Sequence, residues 1–442
     1  MPLFKSNKEK PHLWLVKGAA DPSPMPVENR TLSEKNLEPK RRCIQFKEGA
    51  KVPEPRADGV SCLSSIPALQ PIRSSQNVRI ALVGATGLVG RSCASFLANH
   101  PEMGYSITHF IGSSLSKDRD LADVSDEKEK KLRSHYGEDF WHSEADVDLS
   151  ALKDAVVCDI EALLSSGPTS CDVVLSFLAP RLGHLEDEMI HAGFRVVSIS
   201  PHKRMDYPLI VPVVNGDSVQ DRISSLRCVK SPNCCSVGST VALLPLVDSF
   251  TVEQVFITTF QTLSGRGDAL YPAEKVVGNV YPIGATEERT EEYISREVSR
   301  VFRGHPRGAG LASGEGIHVS AYRVYVQKNH LLDIRVKIKE TLPTPSTAAQ
   351  AFLEAMYSKL KYAGDITVNT EVGEPRPRSH PDCQKVTVGN FSVESLAPPQ
   401  TGSWVRVSAT VDNVGKGAWG NAMDITQQVV AAAVQSSSAS RD

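Results

Sequence analysis

The sequence predicts an α/β protein in two parts: a doubly wound parallel sheet, then an α+β part built on a mostly antiparallel sheet. Three observations lead there. A β-branched strand at Val78–Val83 runs straight into glycines at 84, 87 and 90 and then into a helical pattern. Up to about residue 230, short apolar strands alternate with helical segments, as parallel sheets require. Beyond about residue 250, apolar residues recur at every second position over long runs, the mark of strands with one buried face.

Composition sets the limits. A chain of 442 residues is long enough for two domains with substantial cores. A formal charge of −2 points away from nucleic acid and from membrane surfaces. No apolar run approaches the roughly 18–20 residues that cross a bilayer. Nine cysteines, an odd number without C-x-x-C or other metal spacing, indicate reduced thiols in an intracellular, cytoplasmic setting and no metal site.

Residues 1–76 read as a disordered or targeting extension, rich in Pro, Ser, Lys and Glu and without apolar periodicity. Glu28, Glu34, Glu38 and Glu48 count against a transit peptide. Were the extension a targeting segment, a plastid or other organelle would replace the cytoplasm.

The fold begins at residue 77. Val78–Val83, the turn Gly84-Ala-Thr-Gly-Leu-Val-Gly90 and the helix Leu88–Leu97 form a dinucleotide-binding fingerprint of Rossmann type. Gly84 permits the tight turn, Gly87 lets a pyrophosphate approach the backbone, and Gly90 lets the helix pack on the strand. The next strand, Ser106–Ile111, ends in Gly112-Ser-Ser114 with Ser116, Lys117 and Arg119 beyond. A carboxylate there would indicate NAD; hydroxyls and cations suit a 2′-phosphate and favour NADP, unless this is an ordinary polar turn. Residues 117–152 are charged and irregular and read as a solvated insertion or surface helix without chemistry. Strands resume at Asp172–Leu178 and Phe194–Ile199, with the helix Leu182–His191 between them. In such sheets ligands bind outside the carboxyl ends of the strands, so 176–180 and 200–204 are site candidates.

A strand at 226–230 then leads through the turn Ser231-Pro-Asn233 into the helix that begins at Cys234 and Cys235. Unpaired N–H groups and the positive end of the helix dipole favour thiolate at such a position, and they can hold an oxyanion. Cys234 and Cys235 are therefore nucleophile candidates, or else small packing residues; Cys235 is the more structural of the two.

The period-2 runs follow: Glu253–Leu263, Ile317–Val326, His330–Glu340, Lys385–Phe391 and Trp404–Val411, with a helix at Ala348–Leu360. The glycine-rich stretch Asp412–Met423 enters an apolar helix running to about Val434, which returns to the first domain. The expected division is 77–230 plus 412–436 for nucleotide binding and 231–411 for catalysis and dimerisation.

Several motifs, in order, resemble the aspartate-β-semialdehyde dehydrogenase family in its archaeal/fungal-type branch. They are Gly84–Gly90; His202-Lys-Arg-Met-Asp206 with Pro208–Asn215; Pro232-Asn-Cys234; Gln261-Thr-Leu-Ser-Gly-Arg-Gly267; Arg323–His330; and Asn413–Asn421. Together they cover about residues 78–436, apart from the insertion. The resemblance implies NADPH-dependent reductive dephosphorylation of L-4-aspartyl phosphate to aspartate semialdehyde, a step towards lysine, methionine and threonine. Position by position, it implies Cys234 as nucleophile, Gln261 orienting the acyl intermediate and His330 as acid/base. Arg323 would hold the substrate carboxylate, Arg204 and Arg289 the phosphate, and Glu287 the amino group. NADP would lie on Gly84, Thr86, Gly87, Leu88, Val89 and Gly90, with Ser113, Ser116, Ser264, Gly265 and Asn413. A homodimer or homotetramer is expected, and no metal.

The match departs from the family at Asn329 (Gly in relatives), Tyr325 (Pro), Val213 (Glu), Ser200 (Asn), Arg266, Asp268 and Trp419. These changes bear on substrate and rate. They keep two alternatives open: a sister reductase acting on N-acetyl-glutamyl phosphate or malonyl-CoA, and a non-catalytic nucleotide-binding homologue.

Overall fold

A computed structural model describes residues 69–70, 72, 77–137, 147–266, 270–283, 289–342, 346–396 and 401–439. Residues 62–442 form one compact unit. Almost all of the expected extension 1–76, and the expected substrate ligand Glu287, fall outside the described residues.

The first sheet has six strands, all parallel: β1 Val78–Val83, β2 Tyr105–Ile111, β3 Val157–Cys158, β4 Val173–Ser176, β5 Val196–Ser198 and β6 Cys228–Lys230. Their order, β3-β2-β1-β4-β5-β6, is the doubly wound order, with its switch point between β1 and β4. Helices α1 (Leu88–Asn99), α2 (Leu121–Tyr136), α3 (Ile160–Ser166), α4 (His184–His191) and α5 (Pro212–Asn215) connect these strands. Ile80, Leu82, Val173 and Leu175 project into one core and Ala81, Val83, Val174 and Val196 into another, so the strands are buried on both faces.

The second sheet has seven strands in the order β11-β12-β13-β10-β7-β9-β8. They are β7 Val252–Gln261, β8 Val280–Pro282, β9 Ile317–Val324, β10 His330–Ile338, β11 Ile366–Asn369, β12 Val386–Ser395 and β13 Ser403–Val411. Most pairs are antiparallel, as expected, but β7–β9 and β11–β12 run parallel. The sheet is therefore mixed. Helices α6 (Cys234–Ser249), α8 (Thr290–Arg303) and α9 (Ser346–Tyr357) join its buried face in one core, through residues such as Val241, Leu244, Val298, Phe302 and Leu353. The short α7 (Ala273–Val276) precedes β8. The opposite face leaves aromatic rings outward: Phe256 lies 4.7 Å from His318 and 5.7 Å from Trp404.

The last helix, α10 (Asn421–Ala439), returns to the first sheet, where Met423, Ile425, Val429 and Val430 share the core of Ile80 and Leu82. Trp419, in the glycine-rich stretch before α10, packs towards α1. It is buried against Phe96 of α1 (4.5 Å between ring centroids), and its Nε1 donates to Ser92 Oγ at 3.0 Å. Among the described residues no helix is long and apolar enough to cross a membrane.

The insertion 117–152 is not merely solvated. Leu121, Val124, Leu132 and Tyr136 bury one side of α2, and Asp120 caps its start by accepting from Ala122 N at 2.8 Å. Lys128 of α2 donates to Thr86 O at 2.6 Å, and Glu129 pairs with the buried Arg91 at 3.0 Å. The helix therefore bears directly on the glycine turn.

Candidate active site

The site begins with the local structure of 230–235. Buried Lys230 closes β6 on Glu186, which also accepts from Ser176 and Ser198, so the carboxyl ends of β4, β5 and β6 are tied together. Pro232 ends the strand, and Asn233 then caps α6, its Oδ1 accepting from Cys235 N at 2.9 Å. This cap sets Cys234 on the first residue of a 16-residue helix.

Glu297 of α8 completes the turn from beneath. Its carboxylate, 2% exposed, accepts from Asn233 N at 2.6 Å, Ser236 Oγ at 2.7 Å and Arg204 Nη1 at 2.8 Å. Arg204, expected to bind phosphate, is thus paired to a carboxylate below the nucleophile. Arg289, its expected companion, is exposed and pairs with Glu292.

His330, the first residue of β10, is fully buried, and its Nε2 lies 3.2 Å from Cys234 Sγ. Asn329 before it adopts φ +67°, the left-handed conformation that asparagine tolerates where relatives carry glycine. Thr262 holds the histidine from behind, its backbone N–H donating to His330 Nδ1 at 3.1 Å. Thr262 Oγ1 lies 3.0 Å from the same Nδ1 and can accept a proton from it, so Nδ1 has both a donor and an acceptor at hand while Nε2 faces the sulfur. The carbonyl of the same Thr262 accepts from Arg323 Nη1 at 2.8 Å. One residue therefore orients both the histidine and the arginine.

Arg323 and His330 meet at Gly265. A methyl there would lie 2.9 Å from Arg323 Nη1 and 3.2 Å from His330 Nε2, so these two nitrogens are no more than the sum, 6.1 Å, apart. Gly417 does the same for the nucleophile, since a methyl there would lie 2.8 Å from Cys234 Cβ. The Cys234 thiol is held well below its ordinary pKa by a hydrogen bond from Cys235 and by His330 and Arg323, against the opposing effect of burial. Burial and the neighbouring Cys234 push Cys235 up, so it stays a thiol and a donor. Gln261 ends β7, buried, with its Nε2 on Thr259 Oγ1 at 3.1 Å.

The expected cofactor residues lie in three places. The turn Gly84–Gly90 sits at the β1/β4 switch point. Gly84 has φ +84°, and a Cβ on Gly90 would come 2.2 Å from Gly84 O, so neither position accepts a side chain. No side chain caps the first turn of α1 and no acid stands in it, which leaves its N–H groups at Leu88, Val89 and Gly90 suited to a phosphate. Ser113 is exposed and Ser116 buried beyond β2, while Lys117 and Arg119 pair with Asp159 and Glu127 at 2.6 Å each. Ser264 and Asn413 are buried and joined, Asn413 Nδ2 donating to Ser264 Oγ at 2.9 Å. A cleft of about 1060 Å³ runs from Leu88 past Ser264 to Asp412 and Gly415, with Glu129 of α2 on its wall. Its size fits a dinucleotide, and Leu88, from the first turn of α1, stands on its wall.

Sequence reasoning missed Thr262, Glu297, Gly417 and Lys128. Only Glu297 left a trace: it stands on the apolar stripe Ile294, Val298, Val301 of α8, where an unpaired carboxylate would not be buried.

Residues 79–222 match the family described as semialdehyde dehydrogenase, NAD binding domain. The chain is 24% identical over 332 residues to the aspartate-semialdehyde dehydrogenase of Methanothermobacter thermautotrophicus, covering 71% of this chain and 89% of that one. It is 29% identical over 240 residues to the malonyl CoA reductase (NADP) of Metallosphaera sedula, covering 52% and 61%. The fold is that of the Candida albicans aspartate semialdehyde dehydrogenase crystallised with NADP, with a TM-score of 0.61 at 21% identity, covering 81% of this chain and all of that one.

Proposed function

We propose that this member of the semialdehyde dehydrogenase family is an NADP-dependent aspartate-semialdehyde dehydrogenase, converting L-4-aspartyl phosphate to L-aspartate 4-semialdehyde and phosphate. The observation that carries the proposal is the Cys234 Sγ–His330 Nε2 contact of 3.2 Å at the start of α6, with Arg323 against the same Gly265. The Cys234 thiolate attacks the acyl carbon, a C–S bond forms, and the C–O bond to phosphate breaks, the phosphate leaving with the electron pair. First-turn N–H groups of α6 hold the oxyanion. Gly84–Gly90 and the first-turn N–H groups of α1 would hold NADPH, which would supply the hydride for reduction of the thioester. His330 gives its Nε2 proton to the oxygen that gains charge and takes it back as the aldehyde is released. Arg323 offers a planar fork to the α-carboxylate, and buried Gln261 orients the acyl group.

The first sheet with α10 serves the cofactor, and the second sheet serves catalysis. Its outward aromatic face around Phe256 is the surface on which a homo-oligomer would form. Malonyl-CoA reduction is the second reading, favoured by the similarity to the Metallosphaera protein. It shares the thiolate step but releases a CoA thiol in place of phosphate. Assay of aspartate semialdehyde with NADP and phosphate, beside malonyl-CoA with NADPH, separates the two. Turnover of malonyl-CoA alone would overturn the proposal.

A further inference from the structure

Cys235 gives the site a second sulfur. One ligand atom each of Cys234, Cys235 and His330 lies within 4.8 Å of the other two, and Cys234 Sγ is 3.2 Å from His330 Nε2. Cys235 and His330 are fully buried and Cys234 half-buried. No spacing in the sequence announces this group: the two cysteines are adjacent, and His330 follows 96 positions after Cys234.

Two sulfurs and an imidazole nitrogen are donors that zinc and cadmium prefer, whereas magnesium and calcium take oxygen. In a tetrahedral zinc site, bonds of about 2.3 Å to sulfur and about 2.1 Å to nitrogen set two sulfurs about 3.8 Å apart and sulfur and nitrogen about 3.6 Å apart. The 3.2 Å contact must then open by about 0.4 Å, and no ligand pair must close by more than about 1.2 Å. A turn of about 20° at χ1, within the breadth of a rotamer well, moves each sulfur by about 0.6 Å. The far side of the histidine also suits the role. Thr262 Oγ1 lies 3.0 Å from His330 Nδ1 and gives its own proton to Asn413 Oδ1 at 3.1 Å, so a lone pair faces the ring. That hydroxyl accepts the Nδ1 proton and leaves the Nε2 lone pair to a metal, as the outer partners of metal-bound histidines do. Ligation selects this tautomer against the Thr262 N–H, 3.1 Å from the same nitrogen. Arg323 and the N-terminus of α6 oppose a bare cation, but two thiolates bring a zinc centre to zero charge.

We infer that Cys234, Cys235 and His330 form a three-ligand site for a soft divalent cation, zinc or cadmium, whose occupation reversibly switches the centre off. The fourth position is open to water. Ligation forms two metal–sulfur bonds and one metal–nitrogen bond; each thiol still protonated releases its proton to solvent, and no electron moves. Nucleophile and acid/base are engaged together, so the metal competes with the acyl substrate. The loss of turnover rests on the proposed function, while the metal site stands on the three side chains alone.

The test is titration of the full-length, reduced protein with zinc against a colorimetric chelator, and with cobalt as a spectroscopic stand-in. The expected result is one tight zinc per chain, sulfur-to-cobalt charge-transfer absorption, and no displacement by excess magnesium. Cys235→Ser and Cys235→Ala, checked for folding by thermal melts, each weaken zinc on the order of 100-fold, the share of one ligand in a structural zinc site. Cys383→Ser, which alters an exposed thiol outside the group, binds zinc as wild type does. The zinc concentration that halves turnover rises in the Cys235 variants by the same factor as the affinity falls. Zinc affinity within three-fold of wild type in both Cys235 variants, a cobalt spectrum without thiolate absorption, or an equal loss in Cys383→Ser would each overturn the inference. Zinc affinity that falls as expected in a protein without aspartate-semialdehyde turnover would instead sink the substrate assignment and leave the metal site standing.

Discussion

Gly265→Ala adds a single carbon where the two most constrained side chains of the site meet. The methyl would lie 2.9 Å from Arg323 Nη1 and 2.9 Å from His330 Cε1, against about 3.4 Å for ordinary contact. Both side chains must therefore yield about half an ångström, or the loop must retreat by as much. Thr262 resists the first, through its N–H on His330 Nδ1 at 3.1 Å and its carbonyl on Arg323 at 2.8 Å. The compliant coordinate is the 3.2 Å contact between His330 Nε2 and the sulfur. Misplacement by about 1 Å costs on the order of 100-fold in rate, so half of that predicts roughly ten-fold in kcat, about 1.4 kcal/mol of barrier. Steady-state kinetics beside a thermal melt measures it: kcat falls while the melting midpoint stays close to wild type, because Gly265 is exposed and its φ is not left-handed. A variant with wild-type kcat would refute the idea that Arg323, His330 and Cys234 act as one rigid constellation.

Other consequences follow from the same contacts. The lowered Cys234 pKa means that iodoacetamide alkylation keeps its thiolate rate to lower pH than free cysteine allows, whose pKa is about 8.5. Cys235→Ala should move the inflection upward and Cys235→Ser less so, and equal profiles for all three proteins would remove Cys235 from the account. The sign also bears on stability: the ionised thiol contributes above its ordinary pKa, and that contribution is lost as pH falls through the lowered folded value. Glu297→Ala strands Arg204, Asn233 N–H and Ser236 Oγ together, at a cost of about 3–5 kcal/mol that denaturant titration would register; less than about 1 kcal/mol would contradict the buried network. Phe256→Glu places a charge in the outward aromatic face, and sedimentation should then show a smaller assembly than wild type. An unchanged assembly would move the interface elsewhere.

Legibility in the sequence follows the range of the interactions. The Gly84–Gly90 turn, the start of α6 at Cys234 and the period-2 strands are local: each depends on residues a few positions apart, and each stands where the pattern places it. The αL turn at Asn329 was readable for the same reason, because asparagine tolerates that conformation. The partners of the charged groups were not readable. Arg204 and Glu297 are 93 residues apart in the chain, and Lys128 and Thr86 are 42 apart, so only the packing of α8 and α2 brings them together. Trp419 shows the same limit: its bulk was evident, but its direction towards α1 depends on how the π-turn Gly415–Gly420 enters α10. Residue types pointed to the candidate chemistry, and tertiary packing set Arg204 and Arg289 against carboxylates.

The central claim is a Cys234 thioester reduced at the expense of NADPH. Its most direct test is the reverse reaction: phosphate-dependent reduction of NADP by aspartate semialdehyde, run beside NAD and beside Cys234→Ser. The account predicts NADPH formation that requires phosphate, prefers NADP over NAD and disappears in Cys234→Ser while NADP binding persists. Turnover that survives the loss of Cys234, or that proceeds at full rate without phosphate, would contradict it.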